Sequence, residues 1–415
     1  MDSLRALRAL RDARSVCEAD HGALWSRSVC GPIALVDRQT RLVIANDTVP
    51  ARSYLPYGDA FVTSAPSGVG FANTSFAWAG RQWAMIMLPL PSDRFDRIAL
   101  VMHEVFHREQ AALALLGGDP PNGHLDQYDG RRLLRLELNA LAAALESLGR
   151  DDTMARGHTE NALLFRARRR AIYPQADSVE PALEMQEGLA EYTGVRLALT
   201  ATGETSSRVA RRLREFQSTP TYVRSFAYAT GPALGLLLDH FSPDWRSEIG
   251  RTKDLARLLS RAIQPRADAD LARQTERIAV RYGGAIIDRD ELARDSQRKA
   301  RLAAYAARLV DGPTLTLTQS SLNRNFDPLS LFPFDDDHTI YPTGTFSSGW
   351  GTLEVTEGGA FVANDYRVVR VGAHTGTFAA ANHVIRGAGW VLTLNAGWSI
   401  VADAARLGSF LVTQH

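Results

Sequence analysis

The segment His103-Glu104-Val105-Phe106-His107 places two histidines four positions apart, with a glutamate directly after the first. Residues four apart lie one turn above each other on an α-helix, so both imidazoles would point toward one place. Imidazole nitrogen is a common zinc ligand, and a glutamate beside the first histidine can reach a water molecule held there. The spacing predicts a Zn²⁺ site with His103 and His107 as ligands and Glu104 as general base. The alternative is a helix whose histidines merely pack or face solvent.

A catalytic zinc site usually has three protein ligands and one open position, so a third ligand must come from another element. Glu180, Glu184, Glu187 and Glu191 follow one another at helical spacing and form one acidic stripe. A solvated helix face gives the same stripe, and this is our interpretation of Glu180 and Glu184. Crowded carboxylates repel one another, and a cation would relieve that repulsion. Glu187 is the best candidate for the third ligand.

These motifs resemble those of the gluzincin metallopeptidases. Glu187-Gly188-Leu189-Ala190-Glu191-Tyr192 matches the E-G-x-A-x-Y helix that supplies the glutamate ligand in their aminopeptidase branch. Tyr228-Ala229-Thr230-Gly231 is similar to the Y-x-x-G segment of the same branch. The resemblance implies that Glu187 binds the zinc ion and that Tyr228 donates to the oxyanion. It also implies that Glu191 hydrogen-bonds the first zinc histidine, as the corresponding acid does in the thermolysin-like branch.

Each of these roles has an alternative. Glu191 is otherwise a surface carboxylate, and Tyr228 is otherwise a tyrosine of the core. Weaker candidates for the oxyanion donor are His124, His158, Tyr222 and Arg224. The resemblance covers three short motifs between residues 103 and 238, and the G-x-M-E-N strand that recognises a free amino terminus in aminopeptidases is missing. Exopeptidase action therefore does not follow from it.

The periodicity around the motifs predicts an α+β fold in three parts, and the resemblance to gluzincins implies that its core is zincin-like. Residues 1–92 form an N-terminal helix and an antiparallel β lobe, with hairpins turning at residues 37–40 and 79–81. Residues 93–311 form a helical catalytic domain, and residues 312–415, rich in β-branched and aromatic residues broken by glycines, form a small β domain. Trp350, Trp390 and Trp398 are expected in the core of that last domain.

Capping residues predict where the two ligand-bearing helices begin and end. Asp93 caps the start of the helix with the paired histidines, and Gly117 and Gly118 end it. Pro181 opens the helix that carries Glu187, and Gly194 closes it.

Composition excludes several classes of protein. Charged residues make up 22% of the 415 residues and the formal net charge is +1, so no basic field indicates nucleic acid as a partner. No apolar run reaches the ~20 residues that span a bilayer, so we expect no transmembrane segment. The two cysteines, Cys17 and Cys30, are expected as free thiols, and a single bridge is the alternative in an exported protein. Without a signal peptide the default location is the cytoplasm, and export with the leader removed is the alternative.

The sequence thus predicts a zinc-dependent hydrolase that cleaves peptide or protein substrates. One alternative is a non-catalytic binding protein that keeps a zinc site. Another is a zinc hydrolase of a non-peptide amide or ester, because activation of water by zinc is the same chemistry. The least favoured is a metal-free structural protein whose motif arose by chance.

Overall fold

The computed structural model describes residues 3–48, 54–65, 71–327, 330–373 and 383–415. The chain has an α+β fold, as predicted, and forms two compact units. The first unit comprises Met1–Pro121, Leu133–Ser218 and Phe226–Gly284, and the second comprises Asn122–Arg132, Thr219–Ser225 and Ala285–His415. The three-part division drawn from the sequence stays a prediction.

The first unit contains a six-stranded sheet with the order β3-β4-β2-β1-β6-β5. Its strands are β1 Ile33–Val36, β2 Leu42–Ala45, β3 Leu55–Tyr57, β4 Ala60–Ser64, β5 Thr74–Trp78 and β6 Arg81–Met87. Both predicted hairpins are present, β1 with β2 and β5 with β6. The first turn is fixed by Asp37, whose carboxylate accepts from the backbone N–H groups of Gln39 and Thr40.

The prediction of a wholly antiparallel lobe is wrong at the centre of this sheet. Strands β1 and β6 run parallel, with Ile33 opposite Ala84 and Val36 opposite Met87. Hairpin signals fix the partner within each hairpin but not the strand by which two hairpins join. Both joining strands carry buried apolar runs, as expected where the centre of a sheet is covered on both faces.

The helices between residues 3 and 279 are α1 Ser3–Asp20, α2 Arg94–Gln110, α3 Tyr128–Ser147, α4 Asp152–Ile172, α5 Ala176–Leu183, α6 Leu189–Thr202, α7 Ser206–Phe216, α8 Phe226–Phe241, α9 Arg246–Thr252, α10 Leu255–Ile263 and α11 Leu271–Ala279. Short 3₁₀ turns lie at Gly123–Asp126, Pro243–Trp245 and Val280–Tyr282. Between α5 and α6 the chain widens into a π-helical turn, Glu184–Gly188, so one nearly continuous helical segment carries Glu187.

Helix α2 begins as predicted, because the Asp93 side chain accepts a hydrogen bond from the backbone N–H of Asp96 at 3.0 Å. It ends at Gln110 and not at Gly117, so the predicted end is wrong. The Gln110 side chain donates to the backbone carbonyls of Met185 and Gln186, which ties the end of α2 to the π-helical turn. Gly117 serves close packing instead, since a Cβ there would lie 2.2 Å from the backbone oxygen of Ala182.

Helix α6 crosses α2 in backbone contact at Gly194, where a Cβ would lie 2.2 Å from the backbone oxygen of Ala99. Gly194 therefore lies inside the helix and does not close it. Gly203 closes it, in the left-handed conformation with φ of 72°. Pro181, predicted to open the helix, lies inside α5. The close crossing brings the histidine-bearing face of α2 against the first turns of α6.

The second unit holds α12 Gly284–Tyr305 from Ala285 onward, then a π-helical segment, Ala306–Asp311, and two sheets. Its strands are β7 Thr314–Thr318, β8 Asn323–Asn325, β9 Phe332–Pro333, β10 His338–Tyr341, β11 Gly344–Ser348, β12 Gly351–Val355, β13 Ala360–Ala363, β14 Val368–Gly372, β15 Val384–Gly387, β16 Trp390–Leu394, β17 Trp398–Ala402 and β18 Phe410–Gln414. The sheets have the orders β17-β18-β7-β14-β13-β10-β9 and β15-β16-β12-β11-β8.

Side chains of both sheets share one apolar core, which contains Trp350 and Trp390 with Trp398 packed against it, as predicted. In the described ranges of the whole chain, no helix combines the length and the apolar composition needed to cross a bilayer.

Candidate metal centre

One cleft of about 600 Å³ in the first unit is lined by the six residues predicted as zinc ligands, general base, oxyanion donor and partner of the first histidine. Helix α2 contributes His103, Glu104 and His107, the π-helical turn contributes Glu187, α6 contributes Glu191 and α8 contributes Tyr228. Strand β5, at the edge of the sheet, lines the same cleft with Thr74 and Ser75.

Three ligand atoms face one another at the bottom of this cleft. The Nε2 atoms of His103 and His107 lie 2.9 Å apart, and Oε2 of Glu187 lies 3.5 Å from the first and 3.4 Å from the second. A tetrahedral zinc ion with bonds of about 2.0–2.2 Å holds its ligand atoms roughly 3.3–3.5 Å apart. The carboxylate distances match this geometry, and the two nitrogen atoms need to separate by only a few tenths of an ångström.

Hydrogen-bond partners fix the tautomers of both histidines. Nδ1 of His103 faces Oε2 of Glu191 at 2.9 Å, so this nitrogen carries the proton. Nδ1 of His107 faces Oε1 of Gln110 at 2.6 Å, and because the Gln110 amide nitrogen donates elsewhere, this oxygen must accept. Both Nε2 atoms therefore present lone pairs to each other and to a carboxylate. Three electron-pair donors at one point require either an additional proton or a cation.

Without a cation, the additional proton belongs to His103. Burial disfavours a charged imidazole, but hydrogen bonds with Glu187 and Glu191 outweigh it and raise the pKa of His103 to about 10. For the Glu187 carboxyl, burial also disfavours the charged form and so raises the pKa. Hydrogen bonds with the two histidines outweigh this effect and hold the pKa of Glu187 well below its ordinary value. The protein thus stabilises positive charge at the position where the three ligand atoms converge.

Glu104 is buried beside the first histidine. Its residue is 4% exposed, Oε1 lies 4.0 Å from Nε2 of His103, and Oε2 is buried without a hydrogen-bond partner among the described residues. Burial raises the pKa of this carboxyl. A buried carboxylate oxygen without a hydrogen bond is costly and needs an explanation, of which a catalytic role is one.

Tyr228 contacts two of the three residues that supply the ligand atoms. Its hydroxyl donates to Oε2 of Glu187 at 2.7 Å, and its ring stacks on the His103 ring with centroids 5.5 Å apart. The residue is 41% exposed, so it is not a tyrosine of the core. Burial of the hydroxyl and the charge of Glu187 raise its pKa, so it remains a hydrogen-bond donor at neutral pH.

Glu191 is 7% exposed and accepts from Nδ1 of His103 through one oxygen and from the Arg212 guanidinium, at 3.0 Å, through the other. It is therefore not a surface carboxylate. Sequence reasoning missed Gln110 and Arg212. Gln110 follows His107 by three positions on the same helix, which is a usable signal, whereas nothing in the sequence connects Arg212 with this site.

The other polar residues considered in the sequence do not line this cleft. Glu180 and Glu184 are fully buried against Arg169 and Arg166, so the solvated face assigned to them is wrong. His158 is buried, and its Nδ1 lies 2.7 Å from the Tyr282 hydroxyl. The remaining substitutes for the oxyanion donor, His124, Tyr222 and Arg224, belong to the second unit.

Comparison of the chain with models of protein families, with curated proteins and with solved structures finds no match.

Proposed function

We propose that this chain is a zinc-dependent peptidase with a zincin-like core. The observation that carries the proposal is the convergence of three potential ligand atoms beside a buried carboxylate, one oxygen of which has no hydrogen-bond partner among the described residues. His103, His107 and Glu187 would hold the ion. Bound there, Zn²⁺ would make its water ligand more acidic and polarise the scissile carbonyl.

The chain's own residues supply the remaining steps. Glu104 takes a proton from the attacking water and passes it to the leaving amine, which suits a carboxyl whose pKa is raised by burial. The Tyr228 hydroxyl donates to the oxygen on which negative charge develops. Glu191 and Gln110 keep His103 and His107 in the tautomers that bind a metal through Nε2.

A peptide is the substrate that best fits the cleft. Strand β5 pairs with β6 on one side, and its other edge has no strand partner within the described residues. Thr74 and Ser75 of this strand line the cleft together with the ligands. An extended peptide can add to such an edge as a further strand, which would carry a backbone carbonyl past the metal. This edge favours a peptide over a non-peptide amide or ester.

A non-catalytic zinc protein fits the site less well. A structural zinc site normally has four protein ligands, whereas three converge here among the residues that the structure describes. A structural site also does not require a buried carboxylate such as Glu104 beside the metal.

The test is zinc content per chain and cleavage of a broad peptide library, with the Glu104→Gln and Glu109→Gln variants compared with the native protein. Glu109 lies on the same helix but pairs with Arg27 and Arg108 outside the cleft, which makes it the matched control. We expect about one zinc per chain in all three proteins and loss of cleavage in Glu104→Gln alone. Absence of zinc after its addition, or full activity of Glu104→Gln, contradicts the proposal.

A further inference from the structure

A cluster of buried charges lies directly beside the turn that carries Glu187. Its five side chains, here called the buried charge cluster, are each at most 2% exposed, and they are Glu137, Arg166, Arg169, Glu180 and Glu184. Arg166 donates to both oxygens of Glu184, at 2.7 and 2.8 Å, and to Glu137 at 2.7 Å. Arg169 binds both oxygens of Glu180, at 2.6 and 3.0 Å, and the other oxygen of Glu137. Each guanidinium is thus shared by two carboxylates.

Glu184 connects this cluster with the candidate metal centre. It is the first residue of the π-helical turn, three positions before Glu187. The Thr230 hydroxyl also donates to its Oε1, at 2.6 Å, and Thr230 follows Tyr228 by two positions on α8. One carboxylate therefore joins α4, the π-helical turn and α8. Two of these three elements carry residues of the proposed catalytic site.

Stability alone does not explain such an arrangement. Buried ion pairs contribute little net stability, and well-packed apolar side chains of similar volume often do as well or better. A bidentate pair differs from an apolar contact in directionality, because both hydrogen bonds are satisfied in only one geometry. A π-helical turn is a wider and less regular turn than an α-helical one, and such turns occur frequently at functional sites. The π-helical turn therefore needs a fixed contact if the Glu187 side chain is to keep one position.

We propose that Arg166, Glu184 and Thr230 are positioning residues, which set the place of Glu187 and Tyr228 relative to the two histidines. The inference rests on the proposed function for the identity of the ion, but not for the anchoring of the turn. Arg166 and Thr230 hold the Glu184 carboxylate from two sides, and the backbone of the turn carries that constraint to Glu187.

The first test variants remove one uncharged hydrogen-bond donor and no charge, because loss of a buried charge can prevent folding. Thr230→Val removes the donor to Glu184 at nearly constant volume, and Thr230→Ser restores a hydroxyl. Thr159→Val is the matched control, since Thr159 is also fully buried but donates only to the backbone of its own helix. Glu184→Gln is the stronger variant where it folds.

Two measurements are made on each protein, namely zinc affinity by competition with a chelator and amide hydrogen exchange of the zinc-free form. We expect Thr230→Val to bind zinc about tenfold more weakly and Glu184→Gln up to ~100-fold more weakly, the range found for residues that orient metal ligands. Thr159→Val and Thr230→Ser should stay near the native affinity.

Hydrogen exchange separates failure of this inference from failure of the proposed function. In zinc-free Thr230→Val the amides of residues 184–191 should exchange faster than in Thr159→Val. The amides of α4 in Thr230→Val should exchange as they do in the native protein. Equal exchange of residues 184–191 in the two variants overturns the inference, whether or not zinc binds. If the native chain binds no zinc, the proposed function fails, and faster exchange in Thr230→Val still supports the anchor.

Discussion

The contact of Gly231 with Gly188 gives the sharpest test of how the proposed site is built. Helix α8 meets the π-helical turn here backbone to backbone, and a Cβ on Gly231 would lie 2.3 Å from Cα and 2.4 Å from the oxygen of Gly188. Ordinary contacts of a Cβ lie at 3.4–4 Å, so the Gly231→Ala variant must separate the two elements by more than an ångström. Gly188 directly follows Glu187, and Gly231 follows Tyr228 by three positions. The separation therefore falls on the proposed ligand and oxyanion donor.

Two effects of opposite sign decide the stability of this variant. Alanine is a better helix former than glycine by about 0.5–1 kcal/mol. Overpacking costs typically 1–3 kcal/mol, and backbone atoms cannot move aside as the end of a side chain can. We expect a net loss of about 1–2 kcal/mol and, because Glu187 moves, weaker zinc binding. Gly157→Ala is the matched control, since nothing lies within 4 Å of a Cβ there and the helix propensity acts alone.

The assay is thermal unfolding of both zinc-free variants, followed by zinc competition with a chelator. For a domain of this size a loss of 1 kcal/mol lowers the Tm by roughly 2–4 °C, so Gly231→Ala should fall by about 2–8 °C. Gly157→Ala should rise by a few degrees and keep the native zinc affinity. The reasoning is refuted if Gly231→Ala is stabilised like the control and binds zinc as the native protein does.

Two further predictions concern Tyr228 and Asp93. Tyr228→Phe should lower kcat by about 10²–10³-fold with little change in KM or zinc content, the usual effect of removing one oxyanion donor, and an unchanged kcat on peptides would exclude that role. Asp93→Ala should cost about 1 kcal/mol of unfolding free energy through loss of the cap of α2. The hydrogen bond from Asp96 lowers the pKa of Asp93, so this stabilisation is present above about pH 4 and lost as the pH falls through the lower pKa of the folded state. Denaturant titrations should therefore show the native protein and the Asp93→Ala variant converging in acid, and a difference constant down to pH 2 would contradict the assignment.

The parts of the site that follow from local rules could be predicted from the sequence. Helical spacing placed His103 and His107 on one face, and the cap at Asp93 placed the start of their helix. The E-G-x-A-x-Y resemblance located Glu187, and the structure brings it to the two histidines. In each case the deciding contacts are within a few residues along the chain, or are encoded in a short motif.

The end of α2 and the centre of the sheet could not be predicted in this way. Helix α2 ends at Gln110, whose side chain binds backbone carbonyls 75 and 76 positions later in the chain. Strands β1 and β6 pair in parallel although each also belongs to an antiparallel hairpin, and hairpin signals contain no information on how two hairpins join. Glycines were misjudged for the same reason. Gly117 and Gly194 permit close packing with distant backbone and do not end helices.

The four glutamates show most clearly why long-range partners decide the outcome. A regular helix would place Glu180, Glu184, Glu187 and Glu191 on one face, and a solvated face is the ordinary explanation of such a stripe. The structure divides the stripe between two sets of partners, arginines of α4 for the first pair and histidines of α2 for the second. Arg166 and Arg169 lie three positions apart on α4 and form the complementary basic pair. Because burial of a charge requires a partner of opposite charge, two complementary stripes at helical spacing favour burial of both, and a single stripe favours solvent.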